Sequence, residues 1–152
     1  MKDLTVMAAV IAGLLWASPS QAQPTAQDPD VCASEQHLSD AHQAELRIAA
    51  CTRLIESGQL TPAGMAWAHT YRGDAIQYGR RDARGAIVEY DAAIAADRTV
   101  WRAFNDRGGA FLRLGELDRA LANYDEAGRL VPEHPWPWLN RCEVLMMQGR
   151  EH

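Results

Sequence analysis

Apolar positions recur at steps of three and four along nearly all of the chain after residue 39, the period of helices buried on one face. Ala41, Ala44, Ile48, Cys51, Leu54 and Ile55 mark the first stripe. Ser39 is its candidate N-cap and Gly58 its stop, which predicts a helix of about 17 residues. Thr61 and Pro62 then supply a cap followed by Pro at the first helical position, where a missing N–H costs nothing. That second helix runs to Tyr78, with Gly79 as its stop. A polar turn over 80–84 leads to a third stripe of Ala86, Ile87, Tyr90, Ala93 and Ile94. Trp101 to Leu114 and Leu117 to Leu130 form the fourth and fifth. A link carrying Pro132, Pro135 and Pro137 precedes a sixth, Trp138 to Gln148. Nothing reads as a strand.

Stacking the segments exposes a repeat. HTYRGDAI (69–76), FNDRGGAF (104–111) and WLNRCEVL (138–145) align without a gap, starting 35 and then 34 residues apart and placing Arg72, Arg107 and Arg141 at one position. On the following helices AIVEYDAAI (86–94) aligns with ALANYDEAG (120–128), and more loosely with RIAACTRLI (47–55). The most regular unit, 101–132, carries Phe104, Gly108, Phe111, Ala120, Tyr124, Ala127 and Pro132 in order. This unit resembles a tetratricopeptide repeat, a helix-turn-helix of 34 residues. Over about 45–149 the chain is similar to exported bacterial tetratricopeptide proteins that open with a Cys-bearing capping helix. Tyr71 and Asp106 depart from the family's Asn, Cys142 from its Gly, and Arg98 from its closing Pro.

The resemblance implies an all-α fold: a short helical-hairpin solenoid, a right-handed superhelical stack of about six helices. Its parts are a capping helix in 39–60, whole repeats in 61–98 and 99–132, and the first helix of an incomplete third repeat in 135–149. Gly108 and Ala120 are small where two helices cross, with Phe104, Phe111 and Tyr124 filling the space around them.

The chain's start follows another pattern. Lys2, an apolar run from Leu4 to Ala17 broken only by Thr5 and Gly13, and small residues at Ser20 and Ala22 read as a secretory signal over 1–22. The run is shorter than the roughly 20 residues a membrane span needs, and Pro19 ends it. A lipoprotein would need Cys after the cleavage point, where Gln23 stands. Residues 23–38, with Pro24 and Pro29, read as a flexible leader. These features predict a periplasmic protein without stable membrane insertion after cleavage. With 47% hydrophobic and 23% charged residues the rest has room for one domain. A net charge of −5 with Lys2 as the one lysine argues against a nucleic-acid partner.

Cysteine usage bears on the ends of the stack. Pairing Cys32 with Cys51 is the economical assignment, and a disulfide there would stabilise by about 3 kcal/mol in the chain-entropy model. Two free thiols, or a zinc site recruiting His37 and His42, are the alternatives. Cys142 falls at a helix crossing, which predicts a buried thiol acting as a small hydrophobe.

No catalytic constellation, cofactor motif or metal set emerges. Glu89, Asp91, Glu116, Asp118, Asp125 and Glu126 read as solvated, and Gly108-Gly109 is helical rather than a phosphate loop. Asp91 precedes Arg107, and Asp125 precedes Arg141, by sixteen residues, which predicts ion pairs between repeats. Arg72, whose equivalent preceding position is Thr52, reads as free for another partner. In the repeat family the first helices line a concave groove. The matching positions are Trp67, Thr70, Asp74 and Gln77; Arg102, Asn105, Gly109 and Leu112; and Trp136, Leu139, Glu143 and Met146. The resemblance therefore implies a non-catalytic interaction module binding a protein, peptide or helix there. The last helix, with Trp138, Leu139, Val144, Leu145, Met146 and Met147, is apolar more than halfway round, which suggests homo-oligomerisation as an alternative. A further alternative is an enzyme's accessory subunit, or an enzyme with Cys142 as nucleophile.

Overall fold

The structure, a computed structural model, describes residues 23–34 and 40–149. Its regular elements are all helical: α1 (Asp28–Cys32), α2 (Ala41–Glu56), α3 (Pro62–Asp74) continued by a π-helical turn (Ala75–Gly79), α4 (Ala83–Ala96), α5 (Trp101–Arg113), α6 (Leu117–Leu130) and α7 (Pro135–Met147). The signal segment over 1–22, Ser39 and His37 lie outside the described residues.

Local chemistry accounts for most boundaries. Asp40 caps α2 by accepting the His42 N–H at 2.9 Å, Thr61 caps α3 by accepting from Gly64, and Asp82 caps α4 by accepting from Gly85. α7 begins at Pro135, three residues before the expected start at Trp138. Pro135 and Pro137 sit in its first turn, where their missing N–H groups would have no helical partner in any case. Gly115 adopts φ 75°, so the turn from α5 to α6 uses a backbone conformation that glycine takes without penalty.

Each helix packs against the next, and α3 also meets α5, which meets α7. The odd-numbered helices thus form one row, with α4 and α6 behind it. Two glycines set the α3–α4 and α5–α6 crossings. A Cβ on Gly73 would stand 2.6 Å from the Tyr90 ring, and one on Gly108 would stand 2.7 Å from the Tyr124 ring. Both tyrosines are buried, with Ala86 and Ala110 packed around Tyr90 and Ala120 beside Tyr124, while Ala66, Ala93 and Ala103 close a separate cluster with Val100.

Two elements differ from the sequence expectation. The leader, read as flexible, carries α1, docked on α2 by the Cys32–Cys51 disulfide and by Arg53, which donates to both carboxylate oxygens of Asp28 at 2.9 and 2.5 Å. A five-residue helix has no stability of its own, and these long-range ties hold it. The second expected helix ends in a π turn, where the Arg80 N–H reaches the Ala75 carbonyl five residues back. Eighteen residues separate Arg72 from Tyr90 but seventeen separate Arg107 from Tyr124. The π turn absorbs that extra residue.

Candidate functional site

Asp74 ends α3 and is 3% exposed. From α4 the Tyr90 hydroxyl donates to its Oδ1 at 2.9 Å, and from α5 the Arg102 Nη2 donates to its Oδ2 at 3.2 Å. Arg102 also spans one helical turn to donate to Asp106 Oδ2 at 3.3 Å. Asp106 in turn accepts from Asn105 Nδ2 at 3.0 Å, and Asn140 of α7 donates to Asn105 Oδ1 at 2.9 Å. One polar network therefore crosses α3, α4, α5 and α7. Gln77, held inward by the π turn and 1% exposed, has its Oε1 3.3 Å from the Tyr90 hydroxyl, while its Nε2 has no hydrogen-bond partner.

Burial governs the charge state of this network. Loss of water around Asp74 pushes its pKa up to about 8, the negative charge of Asp106 adds to the rise, and Arg102 and the Tyr90 hydrogen bond oppose it. Asp106 is also raised by burial, against Arg102 and its hydrogen bonds to Asn105 and Asp74. Two carboxyl groups in contact keep a proton between them at neutral pH. The Tyr90 hydroxyl is pushed well above its usual value by burial, so it acts as a donor throughout the physiological range.

Aromatic side chains flank the network. Trp67 stacks on Tyr71 with ring centres 5.8 Å apart, and the Arg102 guanidinium lies 5.3 Å over the Tyr71 ring. Further along, His134 packs 4.5 Å from Trp101 and 6.4 Å from Trp136.

The residues expected to line the groove divide in two. Trp67, Trp136, Leu139, Glu143 and Met146 are exposed, and Arg102, Gly109 and Leu112 are half-buried. Asp74, Gln77 and Asn105 are buried in the polar network, and Thr70 is wholly buried, donating its hydroxyl to the Ala66 carbonyl of its own helix. Arg107 is paired with Asp91 and also donates to Asn123 Oδ1 at 2.8 Å, while Arg141 donates to Asp125 at 2.6 Å.

Three expectations are corrected. Arg72 is engaged: it donates to Glu89 Oε2 at 2.9 Å and to the Thr52 hydroxyl at 3.0 Å, so the neutral Thr52 still serves as an acceptor. Glu89 is not a solvated carboxylate, for its side chain is 15% exposed and also pairs with His69 at 2.9 Å. Cys142 is exposed, because α7 is the last described helix and nothing described crosses it at that position.

Tyr71, Tyr90, Asp106 and Asn140 complete the site but were not among the expected groove residues. The unequal repeat step was the available signal for the first two, since it marks where α3 departs from regular geometry. Among the described residues no group of three or more His, Cys, Asp or Glu side chains could hold a metal ion. No described helix is long and apolar enough to cross a membrane. No protein-family model matches the chain, and no curated protein matches it.

Proposed function

We propose that the chain is an exported tetratricopeptide-type module, a short right-handed stack of helical hairpins, whose non-catalytic role is to bind a protein segment along α3, α5 and α7. The observation that carries this reading is the combination on that face of exposed Trp67, Trp136, Leu139 and Met146 with the polar network around Arg102. Aromatic and guanidinium groups supply contact area at low entropic cost and are the common anchors of interfaces. The pattern at residues 1–22 supports a periplasmic location.

Capture of partners from periplasmic extract tests the reading. A Trp67→Ala/Trp136→Ala double variant should lose the partner that the unaltered protein recovers, and equal recovery by both would count against it. A second reading, self-association through α7, draws on the exposure of Leu139, Cys142, Met146 and Met147 along one helix. Leu139→Asp should then convert an oligomer to a monomer on sizing chromatography, and a monomer before substitution would remove that reading.

A further inference from the structure

The α3–α4 and α5–α6 hairpins close on the same pair of repeat positions. In each, a glycine of the first helix, Gly73 or Gly108, receives a tyrosine ring of the second, Tyr90 or Tyr124, at 2.6 or 2.7 Å from where a Cβ would stand. The alignment of first helices sets Cys142 on those glycines, and the alignment of second helices sets Cys51 on those tyrosines. After the short α1, the described chain therefore begins with a helix of the second kind, α2, and reaches its last helix with one of the first kind, α7. Each carries cysteine at the crossing position.

The two ends are complementary. Gly73 and Gly108 are buried under their tyrosines, whereas Cys142 is exposed. A tyrosine seated as Tyr90 and Tyr124 are would run into the Cβ of Cys142, so α7 does not accept a helix of the α4 or α6 type without a shift. Cys51 is small enough to face it. On α2 that place is taken by α1: Cys32 packs with Cys51, Ala50 and Ala68, Val31 packs against the same cluster, and Asp28 holds Arg53. α1 has five residues where α3, α5 and α7 have thirteen, so it is a short substitute for a first helix.

We propose that the chain assembles head to tail with further copies of itself, α7 of one copy packing on α2 of the next and Cys142 bonding to Cys51 of that copy, which rests on the second reading of α7 as a self-association surface and names what that surface meets. The new contact continues the α3–α4 and α5–α6 interfaces across the junction. α1 is the autoinhibitory contact, since it covers α2 until it is displaced.

The bond exchange needs no oxidant. The Cys142 thiolate attacks Cys51 Sγ, the Cys51–Cys32 bond breaks as the Cys142–Cys51 bond forms, and Cys32 leaves as a thiolate that takes up the proton Cys142 gave up. Each chain holds one disulfide and one thiol before and after. Cys51 is 0% and Cys32 3% exposed, so the docked α1 shields the bond and its lifting gates the exchange. The contact joins two different surfaces, so it builds an open stack, or a ring where the rotation closes.

The test incubates the oxidised full chain at high concentration near pH 8 without oxygen, alkylates the remaining thiols, separates the products without reductant and maps the bonds by mass spectrometry. A ladder of oligomers joined Cys142 to Cys51 is expected, with Cys32 alkylated and the total of about one thiol per chain unchanged. Cys142→Ser should lower the linked fraction at least about tenfold with an unchanged circular dichroism spectrum. Cys32→Ala unties α1 and bypasses the gate, and with oxidised glutathione as the oxidant it should give the same Cys142–Cys51 ladder. Cys142–Cys142 dimers, which consume thiols, or Cys142–Cys32 links overturn this inference and leave self-association through α7 standing. Oligomers on sizing chromatography without intermolecular disulfides in either arm do the same. A monomer in both arms overturns both.

Discussion

Asp74 ties stability to pH in an uncommon direction. Its folded-state pKa of about 8 lies above the ordinary carboxylate value, so between roughly pH 4 and pH 8 the folded chain holds a proton that the unfolded chain has released. Its contribution is therefore full below pH 4 and is lost as pH rises to 8. Asp28 works oppositely: Arg53 holds it down to about 2, so its contribution is present above pH 4 and lost as pH falls toward 2. Thermal melts should show Asp74→Asn flattening the decline between pH 5 and pH 8. An unchanged pH slope would contradict this assignment. The adjacent glycines of α5 make a second residue-scale test. Gly108→Ala should destabilise by about 1–3 kcal/mol because its Cβ meets the Tyr124 ring at 2.7 Å. Gly109→Ala, whose Cβ meets nothing nearer than 3.6 Å, should be neutral or stabilise by up to about 1 kcal/mol through helix propensity. Chemical denaturation of the two variants distinguishes the positions. Gly108 was legible in the sequence because small residues recur at that repeat position. The Asp74–Asp106 contact was not, since Arg102, which bonds both, lies 28 residues from one and four from the other.

Helices were legible wherever an apolar stripe ran for about three turns, which covers α2 through α6. α1 escaped because its five residues carry no period, and the ties that order it span 19 and 25 residues. Replacing Cys32 and Cys51 with Ala should lower stability by about 3 kcal/mol, read from melts without reductant, and adding reductant to the unaltered chain should reproduce the loss. The ion pairs between elements are not equivalent. Asp91→Ala and Asp125→Ala remove carboxylates that are more than half exposed and should cost about 0–1 kcal/mol each. Glu89→Ala leaves Arg72 and His69 without their shared acceptor inside the α3–α4 crossing and should cost about 1–3 kcal/mol. Equal melting temperatures for Glu89→Ala and Asp91→Ala would contradict that ranking. The π turn was signalled by one surplus residue in the first unit, but its consequence, an inward Gln77, depends on α4 and α5 packing against it.

At the scale of the molecule the all-helical character could be read from periodicity alone, whereas the face proposed to meet a partner could be read only in outline. Repeat spacing places Trp67, Arg102 and Trp136 in one row, yet it says nothing of which side chains remain exposed. Burial decides that Thr70 serves its own helix and that Asn105 serves the polar network. The behaviour of α7 was the least legible, because Cys142 takes its environment from whatever packs against the final helix. The claim that joins these levels is that the α3, α5 and α7 row meets another protein segment and the α4 and α6 row does not. Site-specific photocrosslinking in the native compartment addresses it most directly, with the crosslinking residue placed at Trp67, Trp136 and Met146 on one row and at exposed Val88 on α4. One shared adduct mass shift is expected from the first three positions and none from Val88. Adducts from Val88 alone, or none from the odd-numbered helices, would contradict it.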